Sequence, residues 1–257
     1  MRALTLRFGD VVAVDHVDCT VPAGEIFGLL GANGAGKTTT IKMLTTLLPP
    51  TSGSARVAGF DIRRAPRQVR RRIGYVPQML SADGALTGTE NLRLAARLHG
   101  LTGREQVARI ADVLQFMDLE AAADRLVRTY SGGMIRRLEL AQEMLHRPEV
   151  LFLDEPTIGL DPVARHAVWE RLERLNRDYR VTILLTTHDM EEAGRLCSDI
   201  AILHRGRIAA RGRPAELKAA VGPEATLDDV FAHFSAASDH GRWRDTAATR
   251  DVARRLG

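Results

Sequence analysis

Residues 31–38, Gly31-Ala32-Asn33-Gly34-Ala35-Gly36-Lys37-Thr38, constrain what this chain can fold into more than any other segment. They fill every fixed position of the pattern GxxxxGK(S/T). The apolar run 25–30 before them reads as a buried strand. Residues 38–48 after them read as a helix closed by Pro49-Pro50. Glycines let the backbone curl so that successive N–H groups point inward at an anion. The helix N-terminus adds the positive end of its dipole. In such a strand–loop–helix unit the lysine, Lys37, reaches the β- and γ-phosphates of a nucleotide, and the Thr38 hydroxyl ligates Mg²⁺.

A second segment has matching chemistry. Residues 150–153 are continuously apolar, as in a parallel strand covered on both faces. The run ends in Asp154-Glu155-Pro156, so its carboxylates emerge at the strand's C-terminal edge, where open α/β sheets bind ligands. Asp154 suits Mg²⁺, and Glu155 suits a general base that orients water. Upstream of that strand, Ser131 is a good N-cap for a helix with Leu138, Ala141 and Leu145 on one face. Gly132 and Gly133 permit close backbone approach at that helix's anion-attracting end.

Taken in order, these segments resemble the nucleotide-binding subunit of an ABC transporter, most closely the drug and antibiotic exporter ATPases. Residues 129–137 are similar to the family signature, Tyr75-Val76-Pro77-Gln78 to the Q-loop, residues 156–161 to the D-loop and Thr186-Thr187-His188-Asp189 to the H-loop. The resemblance runs from about residue 4 to residue 212. It implies an α/β fold: a P-loop NTPase core with a mostly parallel sheet, an N-terminal antiparallel β subdomain and an inserted α-helical signature subdomain. It assigns ATP to residues 31–38 and Thr39, with Phe8 stacking on adenine. Gln78 joins Thr38 and Asp154 at Mg²⁺ and contacts the transport partner. His188 contacts the γ-phosphate and acts with Glu155 in catalysis. Ser131, Gly132 and Gly133 face the γ-phosphate held by a second subunit, so two chains sandwich two ATP molecules head to tail. Tyr130, Ile135 and Ile158 depart from the commoner residues of the family pattern, and none removes a group that hydrolysis needs.

The resemblance also implies boundaries and partners. Residues 1–215 form the ATPase domain, with the helical subdomain at about 79–147, where Val107, Ile110, Leu114 and Met117 repeat at helical spacing. Residues 216–257 form a C-terminal extension in which the core pattern fades, with a short capped helix at 226–231 and an Arg-rich tail at 241–257 expected to be mobile. The partners are a second nucleotide-binding subunit and a separate transmembrane permease. The expected location is cytoplasmic, on the inner face of the cell membrane through that permease.

Composition narrows the classes. No apolar run reaches the eighteen residues of a membrane span. The N-terminus has no signal-peptide pattern. Cys19 and Cys197 lie far apart, without metal-ligand spacing, and read as reduced structural thiols. Of the 36 basic residues, 33 are arginines, but no aromatics interleave them for base stacking, so no nucleic acid is expected. The basic run 63–72 reads as a solvated face. The competing function is a soluble ATPase of the same superfamily, such as one serving metal-cluster assembly. Chromosome-type members insert long coiled coils, and ribosome-type members carry two cassettes; this chain has neither.

Overall fold

A central sheet with both faces covered explains why so many apolar runs of this sequence lack polar alternation. The computed structural model of the chain describes residues 1–240, with side-chain surroundings to residue 235. In chain order, β1 (Arg2–Phe8), β2 (Val11–Val17), β3 (Ile26–Leu30), α1 (Lys37–Leu44), β4 (Ser52–Ser54), β5 (Arg56–Val57), β6 (Phe60–Asp61), α2 (Pro66–Arg70) and β7 (Ile73–Val76) make up the first third. The helices α3 (Gly88–Leu98), α4 (Gly103–Met117) and α5 (Gly132–Met144) follow. The chain then returns to β8 (Val150–Asp154), α6 (Pro162–Tyr179), β9 (Thr182–Thr187), α7 (Met190–Leu196), β10 (Asp199–His204), β11 (Arg207–Gly212), α8 (Pro214–Val221) and α9 (Leu227–His240).

The main sheet has the order β11-β10-β3-β9-β8-β7. Its pairings are parallel except for the β10–β11 hairpin. A separate antiparallel sheet, β2-β1-β4, packs on one side. Successive strand residues alternate between two cores. Ile26, Leu30, Leu151, Leu153, Ile183, Leu185, Ile200 and Ile202 join the helical side. Phe27, Leu29, Phe152, Leu184, Ala201 and Leu203 join the side of α1 and the antiparallel sheet. Each strand is thus apolar at every position because each face meets a different layer. Cys19 and Cys197 are buried free thiols in these cores.

Several expectations shift. The helix after the phosphate loop ends at Leu44, short of the prolines. Thr46 turns left-handed at φ 64°, and the N–H groups of Leu47 and Leu48 fold back onto Lys42 O. This closes the C-terminus by the usual left-handed turn. Of the helical quartet, Ile110, Leu114 and Met117 are buried in α4, but Val107 is exposed. The helix expected at 226–231 extends over Leu227–His240, and its start is a reciprocal cap between Thr226 and Asp229. The core pattern does not fade there: Leu217, Leu227 and Val230 are buried in the main core. The basic run 63–72 is partly structural. Arg63 donates to Pro50 O, Arg70 to Thr46 Oγ1, and Arg72 pairs with Glu149. The tail at 241–257 lies outside the described residues.

Candidate nucleotide-binding and catalytic site

Three adjacent parallel strands bring the candidate residues to one edge of the sheet. In the register, Leu30 of β3 lies opposite Thr187 of β9, and Asp154 of β8 lies opposite Thr186. The phosphate loop, the two carboxylates and His188 therefore leave their strands side by side at the C-terminal ends. Within the loop, Gly31, Ala35, Gly36 and Lys37 are buried, while Ala32, Asn33 and Gly34 form its exposed rim. Gly36 adopts φ 106°, and a Cβ there would sit 2.5 Å from Ala13 O, so only glycine fits. No side chain caps the first turn of α1. Its leading N–H groups have no carbonyl partner within the helix.

Lys37 is buried with its Nζ 2.7 Å from Gly31 O, 3.3 Å from Ala32 O and 3.0 Å from Glu155 Oε1. The Thr38 hydroxyl donates to Asp154 Oδ1 at 3.1 Å. Asp154 Oδ1 also accepts from Thr186 Oγ1 at 2.6 Å. Glu155 Oε2 lies 3.2 Å from His188 Nδ1 and 3.5 Å from Gln78 Nε2. Lys37, Thr38, Gln78, Asp154, Glu155 and His188 thus form one connected polar cluster. The charge of Asp154 also reaches Tyr75, whose phenol is pushed up to about 12, mainly by burial.

Glu155 stands in an unusual backbone conformation, φ 49°. For a residue with a Cβ this region is sparsely populated, so the surroundings must hold it. They do so through its N–H, which donates to Thr186 O at 3.1 Å and to Thr186 Oγ1 at 3.0 Å. Thr186 therefore orients both carboxylates. The sequence alone assigns it no such role, although the threonines that follow the apolar run 183–185 are an available signal. Glu192 is a second residue that sequence reasoning misses. Its buried Oε1 accepts from Thr157 Oγ1 at 2.7 Å and Trp169 Nε1 at 2.9 Å, joining residues 156–161 to α6 and α7. Burial pushes the Glu192 carboxyl above its usual range.

The remaining candidates stand apart from the cluster. Ser131 caps α5, its Oγ accepting from Met134 N at 3.3 Å. Among the described residues, its hydrogen bonds stay within α5. Ser131 and Gly132 are exposed, and Gly133 is buried. A Cβ at Gly133 would lie 2.7 Å from Ala164 Cβ, so glycine lets the start of α5 pack directly on α6. Phe8 ends β1 and is half exposed rather than part of the core. Among the described residues its ring has no aromatic or cationic partner.

The sheet order, glycine cradle and strand-end carboxylates define a nucleotide-binding protein of the phosphate-loop class. The ABC transporter family matches residues 14–158, more than half of the chain. The chain belongs to that family. It is 49% identical over 210 residues to the daunorubicin/doxorubicin resistance ATP-binding protein DrrA of Streptomyces peucetius, covering 82% of this chain and 63% of that protein. It is 47% identical over 217 residues to the Nod factor export ATP-binding protein I of Cupriavidus metallidurans, covering 84% and 71%. A probable multidrug ABC transporter ATP-binding protein of Escherichia coli, YbhF, is 41% identical over 90% of this chain, which spans 40% of that protein. A solved ATP-binding subunit of an ABC transporter superposes with a TM-score of 0.80 at 32% identity, covering 91% of this chain and 98% of the other.

Proposed function

We propose that this chain is the ATP-hydrolysing subunit that powers a membrane exporter, working with a second nucleotide-binding subunit and a separate transmembrane permease. The observation that carries the reading is the cluster in which Lys37, Thr38, Asp154 and His188 converge around Glu155 and the phosphate loop. The N–H groups of the loop and of α1 bind the phosphates, with Lys37 at the β- and γ-phosphates. Asp154 and the Thr38 hydroxyl offer hard oxygen ligands and already touch, a donor set that suits Mg²⁺. Gln78 completes that set. The ion supplies charge neutralisation at the phosphates when bound.

Glu155 takes a proton from the attacking water, and His188 contacts the γ-phosphate beside it. Phe8 offers an open ring face to adenine. Ser131, Gly132 and Gly133 present a helix N-terminus that no local group of the phosphate cluster fills, which suits the γ-phosphate held by a second copy. Residues 1–215 form the ATPase domain in this reading. Among the described residues no helix is long and apolar enough to cross a membrane, so the permease supplies the membrane path and holds the chain at the inner face. The names of the relatives support a drug, antibiotic or lipid-like cargo.

The test is a paired one. The purified chain should hydrolyse Mg·ATP, and affinity isolation from its native membranes should bring down one multispanning membrane protein. ATP hydrolysis without any such partner would overturn the exporter reading and leave the soluble ATPase.

A further inference from the structure

Among the described residues the strand β7 lies at the edge of the main sheet, so one row of its backbone groups faces no neighbouring strand there. Exposed edges of this kind must be covered or blunted. Here α5 covers the edge with side chains. Arg136, Glu139, Glu143 and His146 are spaced three, four and three residues apart, which places them along one face of α5 and the turn that follows it. His146 Nε2 donates to Ile73 O at 2.9 Å, and Glu143 Oε2 accepts from Tyr75 N at 3.0 Å. Arg136 Nη1 donates to Pro77 O at 2.8 Å, and its Nη2 donates to Gln78 O at 2.9 Å. Glu139 Oε1 accepts from Ser81 N and, at 3.0 Å, from Ser81 Oγ. The four side chains form a polar ladder that continues past β7 along the loop that carries Gln78.

Arg136 and Glu139 are both about 1% exposed, and they pair at 2.9 Å. A buried ion pair is costly unless its remaining donors and acceptors are satisfied. This pair directs its hydrogen bonds to three backbone groups of a loop rather than to the core, and among the described residues Arg136 Nε alone of the guanidinium nitrogens is left without a partner. The planar fork of arginine reaches two successive carbonyls through two different nitrogens held in one fixed geometry. We propose that Arg136 and Glu139 are positioning residues that clamp the backbone of residues 77–81, and so fix the Gln78 side chain beside Glu155. The inference rests on the role given to Gln78 in the proposed function. A consequence follows from chain connectivity. Ser131 caps the helix that carries both clamp residues, so the Gln78 loop and the Ser131 end of α5 move as one body. A displacement of the loop by a membrane partner then reaches the site of the second subunit.

The double variant Arg136→Met with Glu139→Gln tests this. It removes both charges, keeps their bulk, and leaves an amide oxygen to accept from Ser81, so no buried charge is stranded. We expect kcat to fall about 10- to 100-fold, the cost of a misplaced active-site group. The ATP dissociation constant should stay within about twofold of wild type, because the interaction lost acts on turnover and not on binding. Amide exchange over residues 78–82 should accelerate while that of α1 does not. Arg136→Lys should restore part of the turnover. Wild-type kcat in the double variant, unchanged exchange over 78–82, or an ATP affinity that falls in step with kcat would each overturn the clamp. Gln78→Ala is measured alongside. If it hydrolyses ATP normally, the role of Gln78 has failed, and the clamp's catalytic purpose fails with it. If it is slow while the double variant is fast, the clamp alone has failed.

Discussion

Lys37 Nζ and Glu155 Oε1 lie 3.0 Å apart, both buried, one at the end of the phosphate loop and the other directly after β8. The cation assigned to the phosphates and the carboxylate assigned to water activation are therefore each other's partners. A phosphate that takes up the lysine must compete with Glu155 for it. The competition couples binding to catalysis, because the group that would hold the phosphate and the group that would meet the water share one ion pair.

Lys37→Ala removes the point charge on the β- and γ-phosphates. ATP affinity and turnover should both fall by at least about tenfold, as befits the phosphate-loop lysine of this class. Equilibrium nucleotide binding and a phosphate-release assay decide it. Normal values for both would remove the phosphate-loop assignment.

Glu155→Gln keeps the shape of the side chain and removes the base. Hydrolysis should drop roughly 10²- to 10⁴-fold, the span of general base catalysis. The ion pair adds a second expectation. Without the competing carboxylate, Lys37 is free for phosphate, so ATP affinity should equal or exceed that of wild type. A variant that binds ATP more weakly than wild type would contradict the competition.

Thr186→Val tests the residue that orients both carboxylates. The change keeps the β-branched shape and deletes the hydroxyl that donates to Asp154 at 2.6 Å and accepts from Glu155 N at 3.0 Å. A hydrogen bond to a charged group is worth about 1.5–3 kcal/mol, so turnover should fall about tenfold or more while the fold survives. The Mg²⁺ concentration for half-maximal activity should rise, since Asp154 loses its alignment. Unchanged Mg²⁺ dependence would show that Asp154 needs no such support.

The parts legible in the sequence are those with local spacing. The phosphate loop, the apolar strand ending in Asp154-Glu155 and the helix start at Ser131 each carry their geometry within about ten residues. Thr186, Glu192 and the Arg136–Glu139 pair are not legible, because their meaning lies in partners far along the chain. Thr186 reaches Asp154, 32 residues away, and Arg136 reaches Pro77 O, 59 residues away. A charged residue three positions from its opposite on a helix reads as a solvated pair until the fold buries it. The C-terminal helices mislead for a similar reason. Leu217, Leu227 and Val230 are sparse in sequence yet all meet the main core.

The ladder under β7 predicts a hidden balance in acid stability. Burial pushes the Glu143 carboxyl up from 4.5 to about 7, helped by the charge of Glu139. The folded chain then holds a proton that the unfolded chain has released, so this group lowers stability as pH rises from 4.5 to 7. Burial pulls His146 down from 6.5 to about 4, with His99 stacked on it at 3.9 Å. The unfolded chain takes up a proton that the folded chain refuses, so this group raises stability as pH rises from 4 to 6.5. The two slopes oppose each other over their shared window, pH 4.5 to 6.5. Glu143→Gln should unmask stability that climbs with pH there, and His146→Gln stability that declines. The slope is at most about 1.4 kcal/mol per pH unit for one proton, and smaller for His146, which solvent partly reaches. Urea midpoints at the two ends of the window read it directly. Parallel curves for wild type and both variants would refute the balance.

The sandwich of two subunits has the sharpest test. Ser131 caps a helix whose N-terminus suits an anion, yet among the described residues its hydrogen bonds stay within α5 and none reaches the phosphate loop of its own chain. If the serine serves the other subunit, lesions at Ser131 and Glu155 of one chain fall in different sites. Ser131→Arg chains and Glu155→Gln chains should each be inactive alone. In a mixed dimer, one site carries both lesions and the other carries neither. Hydrolysis should then recover in part on mixing, with one intact site firing for each mixed pair. If Ser131 served its own chain, every site would keep one lesion and mixing would restore nothing. The measurement is phosphate release across a titration of one variant into the other, with mixed-dimer formation followed by two affinity tags. Mixed dimers that form and stay inactive would count against the shared site, because the only alternative arrangement leaves no undamaged pair of Ser131 and Glu155 in the assembly.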